Sequence, residues 1–338
     1  MRHRLLSGVA ISTLWLLHAA QVKAAAYSVA VVKAGLDTEL TGINTQGQIV
    51  GFFSEPSSFG INFPVTFVAT HGSVSDVQTG FYGYGINDLG QIVGLVPGLS
   101  SAVLNPNGST VPIAVPGANG PTYAFGINNA GQVVGSVDNQ GFLEINGTYT
   151  AIVDPAATNG TMVGGINNAG QIVGSYLVGA VEHGFIDTGG QFLTLDDPAG
   201  FDTSVAGIND RGQVVGSYAN TTGLHGFIES GGDYTTLDVT AGPFFETIPL
   251  GINDAGTVVG WYLANPPDPD SATGFVAAPV VARVPEPASL TLLSVAAAGL
   301  GVLRHRPVAR PGVREAGLRP RWRRVAGVSQ SVVAAQSR

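Results

Sequence analysis

The sequence predicts an all-β fold, a six-bladed β-propeller of four-stranded blades, on three observations. A twelve-residue segment recurs six times: GINTQGQIVGFF from Gly42, GINDLGQIVGLV from Gly85, GINNAGQVVGSV from Gly126, GINNAGQIVGSY from Gly165, GINDRGQVVGSY from Gly207 and GINDAGTVVGWY from Gly251. The steps between copies are 43, 41, 39, 42 and 44 residues, about the length of a four-stranded blade. The 48 glycines and 20 prolines follow no Gly-X-Y period, as in a turn-rich β protein.

Each repeat divides into four short strands. The first ends at Gly-Ile-Asn, a loop such as Asn209-Asp210-Arg211-Gly212 reverses the chain, and Gln213–Tyr218 forms the second. The third is GFIES after His225, matched by GFIDT, GFLEI and GFVAA elsewhere. Two-residue turns then lead to the fourth strand: His71-Gly72, Asn107-Gly108, Asn146-Gly147, Gly189-Gly190 and Gly231-Gly232. The sixth repeat has no fourth strand of its own. Tyr27–Val32 resembles Tyr234–Val239 in sequence and is predicted to fill that place, closing a ring and protecting the edges of its sheets. The glycine that opens each copy is expected to let first strands crowd the central axis.

The two ends read as addresses. Residues 1–26 have a basic start, an apolar run LLSGVAISTLWLLHAA and the small residues Ala24-Ala25-Ala26, the pattern of a signal peptide cleaved before Tyr27. Residues 27–280 hold the repeats and 281–287 form a linker. Residues 288–303 make an uncharged apolar helix that anchors transiently in the membrane, and 304–338 form a basic tail that reads as disordered. Val284, Pro285, Glu286 and Pro287, followed by the helix and by Arg304 and Arg306, resemble the PEP-CTERM sorting signal of exported proteins in Gram-negative bacteria that make exopolysaccharide. The resemblance implies processing by an exosortase near Pro285-Glu286-Pro287, after signal peptidase has acted, and delivery to the outer surface or extracellular matrix. Residues 307–338 extend beyond the usual end of such a signal; they either meet anionic head groups or reflect a misread stop codon.

The repeats themselves resemble the HAF family of extracellular repeats, with His183-Gly184-Phe185 and His225-Gly226-Phe227 at the characteristic triplet. That resemblance implies an extracellular setting and no assigned catalysis. Charge agrees with export: residues 27–303 carry 22 acids against three bases, Lys33, Arg211 and Arg283, which disfavours nucleic acid as a partner.

Chemistry is sparse in the motifs. The chain has no cysteine, no G-x-S-x-G and no H-E-x-x-H. His183 and His225 have no repeating carboxylate or further His beside them in the alignment and read as structural. Calcium is the one metal that the acidic loops suggest, through Asp88, Asp210 and Asp254; one carboxylate per loop favours turn formation instead, and no cofactor is expected. Aromatic residues close the second strands at Tyr176, Tyr218 and Tyr262, with Trp261 beside the last, and are candidates for stacking on sugars. These features predict a non-enzymatic surface or matrix component with exopolysaccharide as a candidate partner; the alternative is a carbohydrate-binding module of the extracellular matrix that uses those aromatic positions or the axial channel. Mass spectrometry of the protein isolated from its host is expected to find an N-terminus at Tyr27 and a C-terminus near Pro285–Pro287. An intact Arg338 terminus would overturn the sorting signal.

Overall fold

Strands form wherever β-branched and aromatic residues alternate between glycine turns, and every regular element among the described residues is a strand. The computed structural model describes residues 21–22, 27–56, 62–70, 73–98, 100–240, 246–263 and 272–280. Sheet one consists of Leu36–Ile43, Ile49–Pro56, Asn62–Thr70 and Ser73–Thr79, paired antiparallel in chain order. Sheet two repeats the pattern with Tyr82–Ile86, Ile92–Leu95, Ser101–Leu104 and Thr110–Ile113, and sheet three with Tyr123–Ile127, Val133–Val137, Gln140–Ile145 and Thr148–Ile152. Sheet four is Thr161–Ile166, Ile172–Val178, Val181–Thr188 and Gln191–Leu195. The fifth set is Phe201–Ile208, Val214–Asn220, Gly223–Ser230 and Asp233–Leu237; the sixth is Glu246–Ile252, Val258–Leu263, Thr273–Pro279 and Tyr27–Val32. These last two sets join through one parallel pair, Leu224 beside Glu246.

The first strand of the chain's repeat region therefore completes the last sheet. Tyr27 lies opposite Pro279 and Val32 opposite Gly274 in antiparallel register. The predicted hairpin turns also form where glycine or asparagine can take positive φ: Asn146-Gly147 at 51° and 83°, Gly189-Gly190 at 63° and 89°, Gly231-Gly232 at 64° and 96°. His71-Gly72 lies outside the described residues, as do the signal segment apart from residues 21–22, the Pro-Glu-Pro motif, the apolar segment 288–303 and the basic tail. Among the described residues no helix is long and apolar enough to cross a membrane.

Each residue of the repeated dozen has a separate job. The opening glycines pack in a cycle, so that a methyl group on Gly42 would meet Tyr84 O at 2.9 Å, one on Gly207 would meet Leu250 O at 2.7 Å, and one on Gly251 would return to Gly42 Cα at 3.2 Å. First strands of successive sheets are neighbours all the way round, the sixth lying beside the first. The paired aliphatics of the second strand divide their labour by strand alternation. Val214 packs with Val205, Ile208 and Phe227 of its own sheet, whereas Val215 enters the cluster of the following sheet with Ile252, Val258 and Phe275. Val50, Val93, Val134, Val173 and Val259 make the same step, each wholly buried, at roughly 1.5 to 3 kcal/mol per side chain.

The buried asparagine does most to join the sheets. Asn209 Oδ1 accepts from the backbone N–H of Arg211 and Gln213, and its Nδ2 donates to Gln213 Oε1 at 2.9 Å and to Asn253 O at 2.9 Å. Asn44 reaches Asn87 O, Asn87 reaches Asn128 O, Asn128 reaches Asn167 O and Asn167 reaches Asn209 O. Asn253 Nδ2 then donates to Asn44 O at 3.2 Å, and the cycle is complete. A second device escaped the sequence reading. Six residues before this asparagine, Thr38, Thr122, Thr161, Thr203 and Thr247 are buried, and each hydroxyl accepts a backbone N–H from the crossover that enters its sheet.

Asn209→Ala removes four hydrogen bonds and leaves buried partners unmade, at about 1 to 3 kcal/mol for each unsatisfied group. Denaturant unfolding is expected to show a loss of about 3 kcal/mol, against less than about 0.5 kcal/mol for the exposed neighbour Arg211→Ala. Equal effects would remove the asparagine's special role.

Candidate functional site

The first strands bury one face and leave the other accessible. Thr203 and Val205 point into the core while Ser204 and Ala206 are partly exposed, and the equivalent residues of the other sheets alternate in the same way except Thr41, which is buried and donates to Gly83 O. Because the six first strands neighbour one another in a cycle, their accessible faces surround a common axis. Two levels line it. Three residues before the buried asparagine stand Thr41, Tyr84, Phe125, Gly164, Ala206 and Leu250; five before it stand Glu39, Tyr82, Tyr123, Met162, Ser204 and Ile248.

The upper of these levels sits on a β-bulge in every repeat. The register slips at Thr41, Tyr84, Phe125, Gly164, Ala206 and Leu250, so each of these residues has no partner across its sheet. A bulge re-aims the side chain that it carries. In sheets two and three it brings Tyr84 and Phe125 together, with ring centroids 5.4 Å apart. Tyr123 stacks parallel to Phe125 at 6.2 Å, and Phe52 meets Tyr82 edge-on at 4.9 Å and Tyr84 at 6.3 Å. Four of the twelve lining residues are thus aromatic, all in sheets two and three, and apart from Glu39 the rest are small, hydroxyl-bearing or aliphatic.

One carboxyl stands in this aromatic arc. Glu39 is half-buried, and among the described residues no ion pair includes it. Burial, reinforced by the nearby charge of Asp37, pushes its pKa up to about 7. Burial, then Glu39, Tyr82 and Tyr123, pushes the Tyr84 hydroxyl up to about 12, so the four groups share one electrostatic neighbourhood. A carboxyl that changes charge near neutrality, set among partly accessible rings, has the character of a binding or proton-transfer site. Sequence reading missed it because it attended to what the repeats share; Glu39, Tyr82, Tyr84, Tyr123 and Phe125 occupy positions where they differ.

The opposite end of the first strands is differently built. There the asparagines and their following residues border an open depression of about 70 Å³. Asp88, Asp210 and Asp254 belong to this rim and are committed to hydrogen bonds between repeats. Asp88 Oδ1 accepts from Thr45 N–H at 2.9 Å, Asp210 from Asn168 N–H at 2.7 Å, and Asp254 from Asp210 N–H at 2.9 Å. Desolvation opposes ionisation of Asp88, but hydrogen bonds from Asn129 and Thr45 outweigh it and hold the carboxyl below its ordinary value. Among the described residues no three His, Asp or Glu side chains gather as metal ligands.

The aromatic residues expected to stack on sugars lie elsewhere. Tyr176, Tyr218 and Tyr262 are buried, and Trp261 is half-buried. Tyr176 faces His183 and Tyr218 faces His225 across paired strands, with ring centroids 5.3 Å apart in both cases. A covered ring offers no face to a ligand, so these positions serve the core. His183 and His225 do have companion carboxylates, contrary to the sequence reading. His183 Nδ1 lies 2.9 Å from Asp196 Oδ2, and His225 Nδ1 lies 3.1 Å from Asp238, each aspartate thirteen residues on. Val284–Pro287, Arg304 and Arg306 fall outside the described residues.

No family model and no curated protein matches the chain. Solved structures are similar at low identity. TolB from Acinetobacter baumannii shares 15% identity at a TM-score of 0.46, over 60% of this chain and 54% of TolB. The chain therefore spans about half the length of TolB. A protein described as a gluconolactonase shares 12% at 0.49, over 77% and 98% of the two chains; the GH43_1 enzyme from Xanthomonas citri complexed with xylotriose shares 8% at 0.32, over 76% and 91%. The expectation that the chain is not an enzyme is corrected by these neighbours, which are mostly enzymes; at such identities the likeness is one of fold and names no reaction.

The carboxyl of Glu39 has a consequence for stability. Its folded pKa of about 7 lies above the ordinary carboxylate value, so the folded state keeps a proton that the unfolded chain has released. The contribution of Glu39 to stability is therefore greatest below about pH 4.5 and is lost as pH rises through about 7. Glu39→Gln is expected to gain on the order of 2 kcal/mol over the parent at pH 8 and nothing near pH 4, by denaturant unfolding. A pH-independent difference would refute the perturbed carboxyl.

Proposed function

We propose that the protein is an exported six-bladed β-propeller of the cell envelope or extracellular matrix that binds polysaccharide at the aromatic arc of its axial face. The observation that carries the binding role is the set Tyr82, Tyr84, Tyr123 and Phe125 on the accessible face of the first strands, beside Glu39. Repeat packing does not call for them. At the same positions sheets four to six have Met162, Gly164, Ser204, Ala206, Ile248 and Leu250, with the asparagine cycle and the valine clusters unchanged. Aromatic faces bind the apolar face of a sugar ring while leaving its hydroxyls to water or to polar neighbours.

The closed cycle of six asparagines supports six blades, and the pairing of Tyr27–Val32 with Thr273–Pro279 supports closure by a strand that begins where signal peptidase is expected to cut. Export rests on the sequence of residues 1–26 and on Val284–Pro287 with Arg304 and Arg306, through signal peptidase and an exosortase. The acidic surface suits an extracellular protein that stays soluble and does not adhere to anionic lipid.

A glycan array probed with the mature chain is expected to give saccharide-dependent binding that Tyr84→Ala weakens about fivefold to tenfold, with far-ultraviolet circular dichroism unchanged. The same substitution at Tyr218, a buried ring, is expected to lower the melting temperature instead. Binding that survives Tyr84→Ala at full strength would move the site away from the axis.

A further inference from the structure

The sugar class follows from what surrounds Glu39, and this step rests on the polysaccharide reading above. The carboxyl lies among Phe52, Tyr82, Tyr84 and Tyr123 and has no basic partner among the described residues. From its own strand it faces the further acid Asp37; the first strands of sheets two and three bring only phenols to it; the first strand of sheet six brings Ile248 and Leu250 to the same levels. No ion pair among the described residues neutralises Glu39. A ligand that brings the missing positive charge gains twice, once from the carboxylate and once from the faces of the rings.

Charge over the whole molecule narrows the choice further. With 22 acids against three bases in residues 27–303, a polymer of uronic acids is repelled before it reaches the arc. A neutral sugar uses the rings but leaves Glu39 without a role. An amino sugar with a free amine uses both, since its pyranose face covers an aromatic ring while its ammonium reaches the carboxyl. We infer that the axial arc selects polysaccharide bearing unacetylated amino sugars, with Glu39 as the residue that reads the amine and Tyr82, Tyr84 and Tyr123 as the rings that hold the sugar.

The amine also alters the carboxyl. An ammonium favours the ionised form of Glu39, so binding near neutral pH releases a proton from a group that titrates at about 7 when free. Affinity for the amine is therefore expected to fall as pH drops below 7, where Glu39 is protonated. Affinity for an acetylated sugar has no such dependence.

Isothermal titration calorimetry with a glucosamine tetramer and with its fully N-acetylated counterpart separates the cases. The mature chain is expected to bind the amine form about tenfold more tightly at pH 7, with heats that change between buffers of different ionisation enthalpy because a proton is released. Glu39→Gln is expected to abolish both the preference and the buffer dependence while keeping affinity for the acetylated tetramer. Raising the salt concentration tests for diffuse attraction to the acidic surface, which is screened and which Glu39→Gln leaves almost untouched. Equal binding of the two tetramers, or a preference that persists in Glu39→Gln, overturns the amine inference while the polysaccharide reading stands. If neither tetramer binds and the array finds no saccharide, both fall together.

Discussion

Six amide groups hold the sheets in one ring. The side chain of each buried asparagine makes the turn of its own repeat through Oδ1 and reaches the backbone of the next repeat through Nδ2. Aspartate in that place would lose the donor, and serine would be too short for both tasks. The asparagine thus explains why the repeats are so alike: glycine lets the backbones approach, the valines fill the gaps between sheets, and the amide fixes the distance at which both occur. Any drift in one repeat is felt by two neighbours, because each buried amide is hydrogen-bonded to the backbone of the next repeat as well as to its own turn.

Much of this was legible in the chain. The period, the strand count per repeat, the positive-φ turns at Asn146-Gly147, Gly189-Gly190 and Gly231-Gly232, and the return of Tyr27–Val32 to the last sheet all follow from local chemistry and self-similarity. The asparagine was read only as a turn opener, since its second partner lies 39 to 44 residues away, or 209 where Asn253 closes on Asn44, and leaves no local trace. The capping threonines were missed for the same reason. Tyr176 and Tyr218 look like exposed strand ends, yet the histidine opposite each one covers its ring. The His-Asp pairs were within reach: the spacing from His183 to Asp196 repeats from His225 to Asp238, and only the comparison at thirteen residues was lacking.

The axial lining was the least legible part, and its asymmetry explains why. A repeat alignment rewards agreement, and the positions that agree are the ones that packing constrains. The bulge keeps its place in all six first strands while its residue ranges from glycine to tyrosine, so the backbone offers six equivalent outlets and the sequence furnishes them unequally. Rings gather in sheets two and three beside Glu39 of sheet one. Such a division gives the molecule a direction across its axis that the scaffold alone does not have, and a bound chain would lie against one wall.

The pairing of Tyr27 with Pro279 sets an order of events for the newborn chain. The strand Tyr27–Val32, YSVAVV, is synthesised some 240 residues before its partner and must wait with its backbone donors and acceptors unpaired. A short β-branched segment of that kind, without proline and without charge, readily finds the same segment on another molecule. Synthesis that stalls midway would therefore yield intertwined oligomers, whereas a chain completed without pause would pair Tyr27–Val32 with Thr273–Pro279 and leave that strand less to offer a second molecule.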